Sequence, residues 1–126
     1  MKYRVWARLY YGTYYSLCGI FRAFKEEQAF EYEAFVLAAL CGVLMWTRPP
    51  FLTSAALLGA WLLVMAFELV NGAVERAFDL IDKERNHIIK AGKDMLSGAV
   101  FLMILFNIFL WGVFLSQVLS RKFTIY

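Results

Sequence analysis

The chain has 126 residues, of which 62% are apolar and 18% aromatic, and its 13 basic and 10 acidic residues leave a net charge of +3. A soluble domain is about 45–50% apolar, and a body this small has too much surface to hide the excess. The composition therefore excludes a soluble globular domain. The small charge gives no basis for nucleic-acid binding, and two cysteines without a CxxC plus a single histidine exclude a disulfide framework and a His-rich metal centre.

Residues 1–26 carry Lys2, Arg4, Arg8, Arg22 and Lys25 among many Tyr, Trp, Phe and Leu, with no acid before Glu26. Basic residues interleaved with aromatics predict an amphipathic helix lying in the headgroup layer. This N-terminus has no apolar h-region of the kind a signal peptide needs. Four carboxylates follow, Glu26, Glu27, Glu31 and Glu33, and then an apolar stretch over 34–47. A first span is predicted over 28–48, its acidic start at the interface. Arg48-Pro49-Pro50 ends it, because Pro cannot continue a helix and restricts the residue before it.

A second span is predicted over 50–72, extending to about 82. Its 49–67 stretch holds 19 residues without a charge, close to the roughly 20 that a bilayer requires. Beyond it, Glu68, Asn71, Glu75 and Asp79 continue at helical spacing on one face. The helix thus leaves the membrane with its acids aimed in one direction. A charged segment over 76–94 precedes the third span, predicted over 95–120, which contains 26 uncharged residues and is closed by Arg121 and Lys122. Ten of the thirteen basic residues fall in 1–25 and 76–93, against three at Arg48, Arg121 and Lys122. The excess of Lys and Arg on cytoplasmic segments puts the N-terminus and the 76–94 segment inside and the C-terminus outside.

Ionisable groups beside a span are costly to place there and mark function by default. Glu68 is the sharpest, directly after 19 uncharged residues. Carboxylates with an amide on one face suit a divalent cation, which takes oxygen ligands. They also suit a general base acting on an alcohol, and cation or proton transport. Glu27 and Glu31 form an i,i+4 pair, and acids there also complement a helix start. Lys90 and Lys93 can snorkel to headgroup phosphates or hold a nucleotide. Gly92-Lys93 is no P-loop, since His87 stands where GxxxxGK needs Gly. These residues alone leave enzyme, transporter and assembly subunit open.

Three segments resemble the bacterial integral-membrane diacylglycerol kinase family. Glu27-Gln28-Ala29-Phe30-Glu31-Tyr32-Glu33 looks like its E-x-A-F-x-x-E segment. Glu68-Leu69-Val70-Asn71-Gly72-Ala73-Val74-Glu75 looks like its E-x-x-N-[ST]-A-[IV]-E signature, and the 91–100 segment looks like its A-K-D-M-x-S-A-A-V. Motif order and spacing match over about residues 8–115. Gly72 stands where the family has Ser or Thr, Gly92 intrudes before Lys93, and the Arg48 turn differs from the family pattern.

The resemblance implies an all-α integral membrane protein of the inner membrane, one kinase domain over 1–126. Each subunit would have a surface helix and three transmembrane helices, in a trimeric bundle. It implies transfer of the ATP γ-phosphate to diacylglycerol, giving phosphatidic acid in phospholipid metabolism, with Mg²⁺. Glu68 would be the catalytic base and Asn71 its support. Glu27 and Glu75 would hold the metal and contact ATP. Arg8, Tyr15, Glu84, Lys93 and Asp94 would also lie on the ATP side. Glu33, Ser97 and Trp111 would lie on the lipid side. The related undecaprenol kinase is the alternative, disfavoured by Ala29-Phe30 and Glu33. A non-enzymatic cation-conducting or assembly subunit is the reading from another class.

Overall fold

A computed structural model describes residues 2–81 and 86–123. Among the described residues every regular element is helical: α1 (Lys2–Glu26), α2 (Gln28–Thr47), α3 (Phe51–Ile81) and α4 (His87–Phe123). The last three are long and apolar enough to cross a bilayer. This is the all-α membrane architecture that the composition predicts.

The breaks follow from the local sequence. α1 and α2 are separated at Glu27, whose backbone is extended (φ −111°, ψ 106°). Its N–H still closes the last turn of α1 on Ala23 O at 2.8 Å. α2 ends at Arg48, which adopts the left-handed conformation (φ 47°, ψ 54°) and donates its N–H to Leu44 O at 2.8 Å. That conformation is uncommon outside glycine. Pro49 bars Arg48 from the right-handed helical region, and a left-handed cap is the usual way to finish such a helix. α4 begins eight residues before the charge-free run at Met95. Asn86 caps it, accepting the Ile88 N–H on Oδ1 at 2.9 Å and the Lys90 N–H on its carbonyl at 3.1 Å. Asn is a favoured N-cap because its side chain satisfies an N–H that the helix leaves unpaired.

At 1.5 Å per residue, the 31 residues of α3 span about 46 Å and the 37 of α4 about 55 Å. Both exceed a hydrocarbon core of about 30 Å. They share the Arg48-turn side with α2, so the excess projects at the other end, where the acids are.

α3 and α4 pack along their length with small or polar residues between them. Asn107, 1% exposed, donates from Nδ2 to Ala60 O and Met103 O, both at 3.0 Å. Val64 is fully buried. Close backbone approach at alanine plus an amide hydrogen bond is how helices associate in lipid, where apolar burial alone supplies no drive. Near the Arg48 turn, Leu44, Leu57, Trp111 and Phe114 form a cluster, with the two rings edge to face at 5.8 Å. Trp111→Ala would leave a cavity there. The expected loss is about 3 kcal/mol, read as an earlier midpoint when the detergent-solubilised protein is titrated with SDS. An unchanged midpoint would exclude a packing role. The outward side chains of α3 and α4, among them Leu62, Leu63, Phe101, Leu102, Ile108 and Phe109, are exposed apolar surface, suited to lipid or to another copy of the chain.

Candidate functional site

The site begins at the break between α1 and α2. Because Glu27 lies outside both helices, its side chain caps neither and instead crosses to α3. There it meets the backbone at Gly72. A β-carbon at that position would stand 3.1 Å from Glu27 Oε1 and 3.3 Å from Cδ. The glycine in place of the family's Ser or Thr thus has a physical role, since a side chain would push the Glu27 carboxylate aside. Gly92 is the parallel case, because a β-carbon there would stand 3.1 Å from the Phe78 ring. The glycine lets α4 approach α3 one residue before Lys93. Replacing Gly72 by Val should displace Glu27 and raise the Mg²⁺ concentration needed for half-maximal rate severalfold. An unchanged requirement would show that the Glu27 position is immaterial.

On α3 the helical period places Glu68, Asn71, Glu75 and Asp79 on the side facing α1, α2 and α4. Glu68 and Asn71 are buried, at 9% exposure each, and Glu75 is half-buried. The Asn71 amide is the polar neighbour of the Glu68 carboxylate, which also lies in the field of Glu75 and Glu27. Asn71 Oδ1 is buried without a hydrogen-bond partner. Glu33, one turn and a half into α2, is buried as well and feels the Glu68 charge. Its Oε2 has no partner, and its backbone carbonyl accepts the Trp61 indole N–H at 3.0 Å. Buried polar atoms without partners are few in folded proteins and need an explanation; of those among the described residues, Glu33 Oε2 and Asn71 Oδ1 lie beside Glu68, whereas Asn107 Oδ1 and Trp111 Nε1 lie deeper in the bundle.

Two cations tie the acidic face to its neighbours. Arg76 Nη2 reaches Glu27 Oε1 at 2.6 Å and Glu26 Oε2 at 3.0 Å. Lys93 Nζ on α4 contacts Asp79 Oδ1 at 2.5 Å. A cavity of about 400 Å³ lies between α1 and α3, bounded by Ser16, Ala23, Glu27, Glu68, Gly72 and Arg76 among others. Its wall is mostly apolar, with Glu68, the Glu27–Arg76 pair and Arg22 as its charged groups.

The sequence-predicted residues thus divide. Glu27, Glu33, Glu68, Asn71 and Glu75 come together, and Lys93 joins one turn further out through Asp79. Tyr15 is exposed on α1 beside Ser16, and Arg8 is exposed 19 residues before Glu27, about 28 Å along the helix. Asp94 and Ser97 are exposed on α4. Trp111 is buried with Leu57, which precedes Glu68 by 11 residues, about 16 Å toward the other face of the membrane. Glu84 lies outside the described residues. Among those described, no group of three or more His, Cys, Asp or Glu is arranged to hold a metal by itself.

Sequence reasoning missed Arg76 and Glu26 as parts of the site. Arg76 entered it only as one positive charge among those that set orientation. Its place at the edge of the acidic face, next to Glu75, was the available signal. Nothing local signalled that Glu26 would join Glu27 in holding it.

The profile of the family described as "Prokaryotic diacylglycerol kinase" matches residues 14–115. The diacylglycerol kinase of Haemophilus influenzae is 36% identical over 101 residues, covering 80% of this chain and 86% of that protein. The diacylglycerol kinase of Helicobacter pylori strain J99 is 33% identical over 115 residues, 90% of this chain and 89% of its own. That of Escherichia coli K12 is 30% identical over 101 residues, covering 80% and 83%.

Proposed function

This chain belongs to the prokaryotic diacylglycerol kinase family, and from that premise we propose that it transfers the γ-phosphate of ATP to the hydroxyl of diacylglycerol, giving phosphatidic acid and ADP. The observation that carries the reading is the gathering of Glu27, Glu68, Asn71 and Glu75 where α3 leaves the apolar zone. ATP arrives there from water and the acceptor alcohol from the lipid.

Glu68 is assigned as the base. Its buried carboxylate takes the proton of the acceptor hydroxyl as that oxygen bonds to the γ-phosphorus and the bond to the ADP oxygen breaks. Asn71 holds that carboxylate through its amide. Phosphoryl transfer asks for positioning and charge neutralisation more than for covalent chemistry, so a site without a phosphate-binding loop suffices. Lys93, linked to Asp79, and Asp94 are assigned to the nucleotide side with Arg8, Tyr15 and Glu84. Glu33, Ser97 and Trp111 are assigned to the lipid side.

The donor set fits Mg²⁺. Glu27 and Glu75 offer carboxylate oxygens from separate elements, and the unpartnered Asn71 Oδ1 lies between them in sequence. Mg²⁺ is usually held by one or two carboxylates, with substrate phosphates and water completing its shell, so two protein acids are enough. When bound, Mg²⁺ supplies neutralisation of the phosphate charge.

The basic segments place the N-terminus and the 76–94 segment in the cytoplasm and the C-terminus outside the inner membrane. A homotrimer is the assembly that fits. Asp94 and Ser97 are exposed on α4 of their own chain, so a neighbouring copy can bring such residues to the site. It also covers apolar surface on α3 and α4.

The test is turnover of radiolabelled ATP by the purified protein with diacylglycerol and with undecaprenol in mixed micelles. Labelled phosphatidic acid is expected. Equal or greater turnover of undecaprenol would move the assignment to the related undecaprenol kinase, and no lipid product with either would sink it.

A further inference from the structure

The acidic site poses an electrostatic problem for an anionic substrate. Glu26, Glu27, Glu68 and Glu75 stand close together at the end of α3, and a nucleoside triphosphate brings several more negative charges. At a few ångströms in a partly buried site such like-charge repulsions are only weakly screened. A cation must therefore face the phosphates. Among the described residues two basic groups, Arg22 and Arg76, bound the same cavity as Glu68, and of these Arg76 binds Glu27 directly, whereas Arg22 stands 3.9 Å from Glu26.

The way Arg76 is held matters. Both of its contacts are made by one nitrogen, Nη2, with Glu26 and with Glu27. No hydrogen bond or ion pair among the described residues uses Nε or Nη1. A guanidinium carries about five N–H donors, and the hydrogen bond to Glu27 and the ion pair with Glu26 both use Nη2, which leaves the donors of Nε and Nη1. The side chain is 44% exposed, so those donors are accessible. An arginine held by two carboxylates has already given up most of its rotamer freedom, and preorganisation of this kind removes part of the cost of binding.

We propose that Arg76 is a phosphate-binding residue for the nucleotide, gripping the terminal (β and γ) phosphates of ATP through Nη1 and Nε, with Glu26 and Glu27 as the counter-ions that hold it in position. This rests on the kinase reading and adds to it a cationic contact and a positioning role for Glu26. It also gives the break at Glu27 a second purpose. One carboxylate there both holds the arginine and stands beside Gly72, so the cation and the Glu27 oxygens are set at a fixed separation.

The purely architectural alternative is that Arg76 ties the α1–α2 break to α3. Competition binding against a fluorescent nucleotide, on the full detergent-solubilised protein with Mg²⁺, separates the two. The competitors are β,γ-methylene-ATP, ADP and AMP. Arg76→Gln should weaken β,γ-methylene-ATP and ADP about tenfold, the scale of a lost hydrogen bond to a charged group, and leave AMP as in the parent. The KM for ATP should rise and that for diacylglycerol should hold. Arg76→Lys, which keeps the charge with fewer donors, should fall between. Glu26→Gln should weaken the same two ligands severalfold. Equal weakening of all three nucleotides, or a rise in the diacylglycerol KM alone, would mean a structural tie, and unchanged binding would remove Arg76 from the site. If Arg76→Gln does not elute as a folded species, Arg76→Lys and Glu26→Gln decide on the same measurements. A parent protein that binds no nucleotide sinks the kinase reading itself. Normal binding by both the parent and Arg76→Gln sinks only this inference.

Discussion

Glu68→Gln is expected to lower kcat by about a thousandfold, the middle of the range for removing a general base, while the protein still folds. The amide matches the carboxylate in size and can keep the contact with Asn71, so packing at this buried position is preserved. It cannot accept the hydroxyl proton. The KM values for both substrates should change little, because the lost interaction is made as the proton moves. Turnover in micelles, with size-exclusion elution as the check on assembly, measures this. A Glu68→Gln protein with near-normal kcat would remove Glu68 from the proton path. A variant that no longer elutes with the parent would show that the residue acts in packing. Ion flux altered without any lipid phosphorylation would favour the conducting reading.

Glu75→Gln is expected to raise the Mg²⁺ concentration for half-maximal rate by at least about tenfold. Even residues one shell out from a metal typically cost 10–100-fold in metal affinity when replaced, and the loss of a charged oxygen ligand should cost no less. Glu75 sits one turn beyond Asn71 and in the field of Glu68, and no ion pair among the described residues engages it. Its charge is therefore available in a way that the charge of Glu27, bonded to Arg76, is not. Titrating Mg²⁺ at fixed ATP gives the measurement. An unchanged requirement would transfer the metal role from Glu75 to Glu27 and Asn71.

The contrast between Glu75 and Glu27 shows how much of the site can be read along the chain. Glu68, Asn71 and Glu75 are within eight residues of one another, and helix geometry alone puts them on one face. Glu27 was legible as an acid near a helix start, and the family motif pointed to it. Its contact with Gly72 and its bond to Arg76, a partner 49 residues away, were not. The same holds for Lys93 with Asp79, 14 residues apart across the α3–α4 connection. Trp111 illustrates the reverse. The family resemblance put it on the lipid side, and only the structure shows it packed against Leu57 and Phe114, about 16 Å from the level of Glu68.

Read alone, the sequence determined that this is a three-span helical membrane protein with its acids and most of its basic residues on one side. Bilayer thickness, helix period and the chemistry of proline and charge act over one to a few turns, so they are written locally. Tertiary structure alone decided which acid is held by Arg76, which glycines permit close approach, and which polar atoms are left buried around Glu68. Those depend on how separate helices pack, where one β-carbon at Gly72 would move the Glu27 carboxylate, and no local pattern records that distance.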